Sequence, residues 1–495
     1  MESVKSITLP TERPALQKIS LEQSYLKIGL LLALITTVFF VTRAVYRLLF
    51  HPLSGFPGPK LAAISHLYEF YYDVIRGGTY IKKIDLMHQR YGPIIRINPR
   101  ELHIKDSHYY ERIYAGYPHR RDKDPSSTAI FTTPLPMVAT VHHEHHRLRR
   151  SFLNNFFSKR SIKEMEPCIQ AKANRLISVF RTAYKSGTVL ELHRVMSALT
   201  ADVVTTCCFG ASHSYLDQKT FENQMIDAVN YVLSMCHINK FLPLIPKLLR
   251  LVPQRLLRNM GVYMADVITV THLIRQQALE SLCKTKVTDN TDADAPLAST
   301  IFDALAATNV PKQEKSAYRL EDEAAAIFGA GTETTSRALS VALFFLLSER
   351  PLMLKLREEL EAHFPSSGIQ PSSTQLEKLP YLTPVSQSTY FVHMDPDIFP
   401  HPESFNPERW VEASKQGQYL NRFLVAFGKG SRQCLGINLA YTELYLILAT
   451  VVCSVDMKLV ETTVENIQMG RDLGHPAPKK GGFAVKVMVT GIRDI

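Results

Sequence analysis

Paired cysteines are missing from this 495-residue chain: its seven, Cys168, Cys207, Cys208, Cys236, Cys283, Cys434 and Cys453, include no CxxC. An odd number so irregularly spaced makes no disulfide framework, and a structural zinc site is not expected without paired ligand spacing. Most of these cysteines should be small buried hydrophobes in a reducing compartment. Glycine and proline are also modest, at 22 and 28 residues. That excludes a fibrous or low-complexity protein. No repeat at a solenoid period is visible, and no dinucleotide-binding fingerprint occurs. Hydrophobic residues at 45% and charged residues at 21% are ordinary for a packed chain, which excludes disorder and a polytopic membrane protein. Base exceeds acid, 57 Lys and Arg against 46 Asp and Glu, for a net charge of +11. The length suits three domains or one large α-rich enzyme fold.

What is present begins near the N-terminus. Residues 28–42, IGLLLALITTVFFVT, carry no charge and lie between Lys27 and Arg43. With flanking apolar residues, and Lys27, Arg43 and Arg47 snorkelling outward, a tilted membrane span over about residues 25–47 is feasible. A secretory signal peptide is the alternative, but no small-x-small cleavage site follows, and Arg43 and Arg47 stand where cleavage would occur. Positive charge flanks both sides, so orientation stays undecided. Residues 51–60, HPLSGFPGPK, cannot continue a helix and favour extended, semi-rigid backbone. The expected organisation is a tail and uncleaved anchor over 1–50, a hinge over 51–60 and a body over 61–495.

Helical spacing of apolar residues predicts helices over 164–184, 320–348 and 351–364. Short strands are expected at 94–98 and 102–104, and an exposed polar loop at 289–296. The body therefore reads as mainly α with a minor sheet. Residues 142–150, HHEHHRLRR, have Arg120, Arg121, Lys123, Lys159 and Arg160 nearby in sequence. A nucleic-acid patch lacks the interleaved aromatics of a stacking platform. A solvated helix face and a site for the carboxylates of a cofactor remain. The four histidines suggest a metal, yet no carboxylate–histidine pattern completes such a site.

Near the C-terminus stands FGKGSRQCLG, residues 427–436, followed by a long apolar stretch through Cys453. Gly428, Gly430 and Gly436 allow close backbone approach or positive φ. A cysteine presented from such a loop just before a helix has N–H dipoles aimed at its sulfur, which favour thiolate. Thiolate is the axial ligand that pushes electron density onto haem iron and promotes O–O cleavage. Arg432 is placed to pair with a haem propionate.

At this motif the chain resembles the cytochrome P450 family, whose haem loop reads F-G-x-G-x-R-x-C-x-G. The resemblance implies a helix-rich α+β fold with haem b between a long distal helix and a proximal loop. Cys434 is then the axial iron ligand, with Phe427, Gly428, Arg432 and Gly436 around the cofactor. A second motif agrees: AGTETT, residues 330–335, lies midway along the 320–348 helix. In the family this helix crosses the distal face of the haem. Ala330 faces the cofactor, Gly331 leaves room for dioxygen, and Glu333 with Thr334 relays protons. Splitting a bound peroxide in a dry pocket needs protons, and a carboxylate beside a hydroxyl can deliver them through water. The competing reading is that Thr334 and Thr335 only loosen the helix by back-bonding. His146 and Arg150 stand where the family has W-x-x-x-R contacting propionates, with a histidine replacing the tryptophan. FNPERW, residues 405–410, is similar to the family meander F-x-P-E-R-W.

The resemblance runs from about Tyr46 to the C-terminus and is closest to fungal monooxygenases of secondary metabolism, of the trichodiene oxygenase type. It implies insertion of one oxygen atom from dioxygen into a hydrophobic small molecule, such as a terpenoid or other secondary metabolite. NADPH-cytochrome P450 reductase would supply electrons, docked on the basic surface, and no nucleic acid is involved. The anchor would lie in membrane lipid of the endoplasmic reticulum, with the catalytic domain cytosolic.

One family element is missing. E-x-x-R occurs only at 144–147 and 191–194, too early for the helix that precedes the meander. The junction falls close to Leu382 and Thr383, as if a few dozen residues had been removed. Arg409 would then be a buried cation without its partners, at a cost of about 3–5 kcal/mol. A gene-model error and a truncated, inactive family member are the two explanations. A non-catalytic, weakly haem-binding protein is the alternative function, and a haem enzyme that isomerises or dehydrates is a third.

Overall fold

The computed structural model describes residues 13–131, 133–211, 213–218, 220–221, 224–249, 251–259, 274–276, 279–280, 300–307, 309–364, 371–379 and 390–493. The polar loop expected at 289–296, Cys283 and the junction at Leu382 and Thr383 lie outside the described residues. Two compact units emerge, the first built from residues up to Tyr72 with Lys83–Ile104. The expected boundary at residue 60 does not coincide with that division.

In the first unit, helix α1 (Arg13–Val45) runs on into a π turn, Tyr46–Phe50. Its apolar part, Ser24–Phe50, has a mean hydropathy of 2.2 and is not buried in the protein. Its length exceeds the roughly 20 residues a bilayer requires. Strands β1 (Ile94–Arg96) and β2 (Leu102–Ile104) pair antiparallel, with Ile95 opposite His103. The proline segment is laid against β1 rather than hanging free. The Arg96 N–H donates to the Pro57 carbonyl at 2.8 Å, and a Cβ on Gly58 would fall 2.4 Å from the Arg96 carbonyl oxygen. The Arg96 guanidinium donates to the carbonyls of Arg47 (2.8 Å) and Pro99 (2.9 Å).

The second unit holds Asp73–Lys82 and everything from Lys105 onward. The helices that position the site are α2 (His143–Asn154), α3 (Lys159–Ser186), α4 (Leu192–Val203), α5 (Ala317–Ser348), α6 (Arg350–His363), α7 (Glu408–Lys415) and α8 (Ile437–Ser454). The expected helices at 164–184, 320–348 and 351–364 thus form, and their ends extend to caps. Ser158 caps α3 and Ser316 caps α5 through side-chain oxygens that accept backbone N–H groups, and Gly187 closes α3 in the left-handed region.

Helix α4 is buried along nearly its whole length. Its small polar residues let it approach α5 closely. The Ser197 hydroxyl donates to Ser336 Oγ at 3.1 Å, and Thr200 Oγ1 donates to the Thr332 carbonyl at 3.0 Å. Helix α8 is apolar enough to pass for a membrane span, with a mean hydropathy of 1.5, yet two-thirds of it (67%) is buried. A helix hydrophobic all round belongs in a core. It leads directly into β4 (Val455–Leu459), the edge of a three-stranded antiparallel sheet ordered β3 (Val189–Glu191), β7 (Lys486–Ile492), β4. Strands β5 (Arg471–Asp472) and β6 (Pro476–Ala477) form a further small hairpin. The fold is helix-rich α+β, as expected.

Candidate active site

The loop from Phe427 to Gly436 is closed on itself by the Cys434 N–H donating to the Phe427 carbonyl at 2.8 Å. Gly428 (φ 64°) and Gly430 (φ 70°) occupy the left-handed region. A Cβ on Gly430 would also sit 2.2 Å from the Tyr114 carbonyl oxygen, so the glycine lets the loop lie on that segment. Gly436 differs: its φ is −86° and a Cβ there would meet nothing within 4 Å. The Phe427 ring packs against Tyr441 of α8, with centroids 4.9 Å apart. This fixes the loop on the helix that follows it.

The Cys434 side chain is exposed among half-buried neighbours. The protein around it pushes its thiol up, while the Gly436 N–H and the Arg150 guanidinium pull it down. The Gly436 N–H thus acts in the direction expected from the loop. A bound metal ion would add a larger pull toward the ionised sulfur.

Beside this loop the cations converge. Arg432 donates to the carbonyls of Thr140 (2.6 Å) and Val141 (2.7 Å), and its Nε is buried without a partner. Arg150 donates to the Gln433 carbonyl at 2.6 Å, which ties α2 to the loop. His146 is 3% exposed, and its Nδ1 has no hydrogen-bond partner. Burial, then the charges of Arg432, Arg150 and Lys123, drives its imidazole down to about 3. Lys123, which donates to the Val138 carbonyl at 2.5 Å, is lowered to about 8 by burial and by Arg432. Asp122 is the carboxylate felt by Arg432, and it already accepts the His143 N–H at 2.7 Å. In the sequence Lys123 belongs to the basic stretch for which a site for cofactor carboxylates is one open reading. Its long separation from residue 432 hid the convergence.

On the distal helix α5, Ala330 and Thr334 are exposed while Thr332, Glu333, Thr335, Ser336 and Arg337 are buried. One turn apart, the two exposed residues share a face. Thr334 Oγ1 donates to the Ala330 carbonyl at 2.7 Å, the back-bonding that the competing reading anticipates. Glu333 turns the other way. Its carboxylate accepts from Arg337 Nη2 (2.6 Å) and Nε (3.1 Å) and faces His193 Nε2 at 3.5 Å. Burial would raise this carboxyl, but His193 and Arg337 hold it down at about 2. The structure thus brings Thr334 together with Ala330 and does not bring Glu333 to that face. The room left by Gly331 is also used differently from the expectation: a Cβ there would lie 2.8 Å from Val204 Cγ2. The glycine serves helix packing.

The meander is docked on the distal helix by Phe405, stacked on Phe345 with centroids 4.7 Å apart and planes 4° apart. Arg409 is half-buried, and its guanidinium donates to the carbonyls of Asn406 (3.1 Å), Ser404 (3.0 Å) and His401 (3.2 Å). The expectation of a buried, uncompensated cation is corrected, because local carbonyls solvate it.

These features fit a haem. An accessible thiol, an open position at Gly436, orphaned buried nitrogens on His146 and Arg432, and the gathered cations Arg432, Arg150 and Lys123 suit iron and two propionates. The comparisons agree. The cytochrome P450 family model matches residues 63–386 and 383–481, so the chain belongs to the cytochrome P450 family. It is 41% identical to cytochrome P450 monooxygenase aflU of Aspergillus parasiticus, over 94% of this chain and 98% of that one. It is 40% identical to conidiogenone synthase PchP450 of Penicillium rubens, over 91% and 96%. It is 37% identical to cytochrome P450 monooxygenase TRI4 of Fusarium sporotrichioides, over 88% and 89%. A crystal structure of a cytochrome P450 superposes with a TM-score of 0.62 at 16% identity, covering 84% of this chain and 95% of that one, which shows the fold. The chain is a haem-dependent oxidoreductase of the monooxygenase type by family, and its relatives are fungal enzymes of secondary metabolism.

The family match comes in two stretches that meet at 383–386. The aflU alignment spans 505 positions but only 94% of 495 residues, about 465, which leaves about 40 positions without a counterpart here.

Proposed function

We propose that this chain hydroxylates or otherwise oxygenates a hydrophobic small molecule of the terpenoid class. Electrons come from NADPH through a separate reductase, and the enzyme is held at the endoplasmic reticulum by α1. The observation that carries the reading is the accessible Cys434 beside the buried, unpartnered nitrogens of Arg432 and His146. The terpenoid class rests on likeness to the relatives named above.

The chemistry supplied by a bound haem is reductive activation of dioxygen and transfer of one oxygen atom. Cys434 would hold the iron through its sulfur, with the Gly436 N–H moderating the charge there. Arg432, His146, Arg150 and Lys123 would hold the haem carboxylates. Phe427 and Gly428 shape the loop, and Ala330 presents a small face. Thr334 holds a proton at Oγ1, parked on the Ala330 carbonyl, where its lone pairs can accept from water. Glu333 is a positioning residue in this conformation, since its carboxylate is committed to Arg337 and His193. Replacing Cys434 by alanine in haem-loaded protein should abolish the thiolate-type Soret absorption of the reduced carbon monoxide complex. Survival of that band would remove Cys434 as ligand.

The two-part family match favours a second reading for the chain as written. We infer that about 40 residues bearing the E-x-x-R helix are absent near Leu382 and Thr383. The reading supported by the otherwise intact motifs is a skipped coding block. Transcript sequence that passes straight through the junction would overturn it and leave a truncated, weakly haem-binding protein.

A further inference from the structure

Cys168 and Cys207 lie 39 positions apart in the sequence, yet their sulfurs are 2.8 Å apart, with Cys207 donating to Cys168. Cys168 is half-buried on α3, directly after the in-helix Pro167, and so keeps an edge toward solvent. Cys207 is 7% exposed in the π turn Val204–Cys208 that ends α4. The neighbouring Cys208 is wholly buried in the core. We propose that Cys168 and Cys207 form a peroxide-driven disulfide switch, with Cys168 as the attacking thiol and Cys207 as the resolving one.

The roles follow from access and charge. Donation from Cys207 lowers the Cys168 thiol to about 7 against the opposing effect of burial, and Lys172, one turn along α3, adds to the lowering. The Cys207 thiol moves up, first through its pairing with Cys168 and then through burial. The accessible sulfur is thus the more ionised one, the condition for attack on a peroxide. The Cys168 thiolate attacks one oxygen of hydrogen peroxide. The O–O bond breaks, hydroxide leaves and takes up a proton as water, and a sulfenic acid remains. Cys207 then gives up its proton while its sulfur attacks the Cys168 sulfur. The S–S bond forms, the S–O bond breaks, and the hydroxyl leaves with that proton as a second water. Two thiols are oxidised by two electrons, and one peroxide is reduced to two waters.

The joined pair would staple α3 to the turn that carries Val204 against Gly331 of the distal helix. Gln170 of α3 already donates to Thr450 of α8 at 3.2 Å, so the staple also bears on the helix that follows Cys434.

The test uses the full chain in detergent, treated with a small excess of hydrogen peroxide, quenched with N-ethylmaleimide and digested without reductant. The expected product is a dithiothreitol-sensitive peptide pair joining Cys168 to Cys207, with a thermal midpoint that rises on oxidation and returns on reduction. Cys208→Ser should keep the link and Cys168→Ser should lose it. In Cys207→Ser, dimedone should trap a sulfenic acid at Cys168. Recovery of both wild-type cysteines as maleimide adducts would overturn the proposal, as would a link made through Cys208 instead. The peptide link and the dimedone adduct are read independently of haem content.

Discussion

Glu333 and Thr334 are adjacent in the chain and point to opposite environments. The carboxylate lies in a buried cluster with Arg337 and His193, and the hydroxyl lies on the accessible face. Their separation follows from the 100° turn per helical residue, which a motif written in one line does not convey. The depressed Glu333 value, about 2 against an ordinary 4.5, has a consequence for stability. Its contribution is complete above about pH 4.5 and is lost as pH falls toward about 2. Urea unfolding of wild type and Glu333→Gln should therefore show a difference that shrinks across this window. A difference independent of pH would contradict the ion cluster. Thr334→Ala, in a version with the missing segment restored, should bind substrate yet uncouple NADPH consumption from product and release peroxide. Unchanged coupling would move the proton path elsewhere. His146, held at about 3, should show no imidazole titration between pH 5 and 8 in haem-free protein when followed by NMR. A midpoint near the ordinary histidine value would mean that the cation cluster is not assembled as described.

At the scale of elements, two arginines separate local from tertiary stabilisation. Arg337 on α5 is paired with Glu333, and its guanidinium lies over the Phe483 ring, 4.2 Å from the centroid. Breaking a buried pair leaves an uncompensated charge, so Arg337→Ala should cost about 3–5 kcal/mol. Arg409 holds carbonyls of its own meander and is half-buried, so Arg409→Ala should cost only about 1 kcal/mol. Equal losses in denaturant unfolding would show that the meander depends on Arg409 more than these contacts indicate. In the proximal loop, Gly430→Ala must accept left-handed backbone at about 1–3 kcal/mol and also displace the Tyr114 carbonyl. Haem retention should fall further in this variant than in Gly428→Ala, whose Cβ meets nothing within 4 Å.

For the whole molecule, the proposed loss of a block near residue 382 bears on how much of the fold forms. Helices α5, α6 and α8 and the three-stranded sheet are all formed among the described residues. Haem retention depends on more than these elements, since the cysteine loop needs the surrounding body to hold it. The 495-residue chain is therefore expected to take up haem poorly and to lack measurable turnover. Insertion of the E-x-x-R segment from a relative should rescue haem incorporation. Stoichiometric haem and steady turnover in the unmodified chain would show the block to be dispensable.

The long helices, the exposed N-terminal apolar helix and the cysteine loop were legible in the sequence, because periodicity, glycine placement and cysteine context are local properties. Cys434 and Arg432 were candidates from the local loop pattern, and Ala330, Thr334, His146 and Arg150 from the resemblance to family motifs. Only the tertiary structure decided which charges meet. It brought Lys123 and His146 to Arg432, sent Glu333 to Arg337 and His193, and let carbonyls solvate Arg409. It also set Cys168 against Cys207. Hydrogen bonds and Coulomb terms depend on separation in space, and that is fixed by how α2, α3, α4, α5 and α8 pack rather than by spacing along the chain.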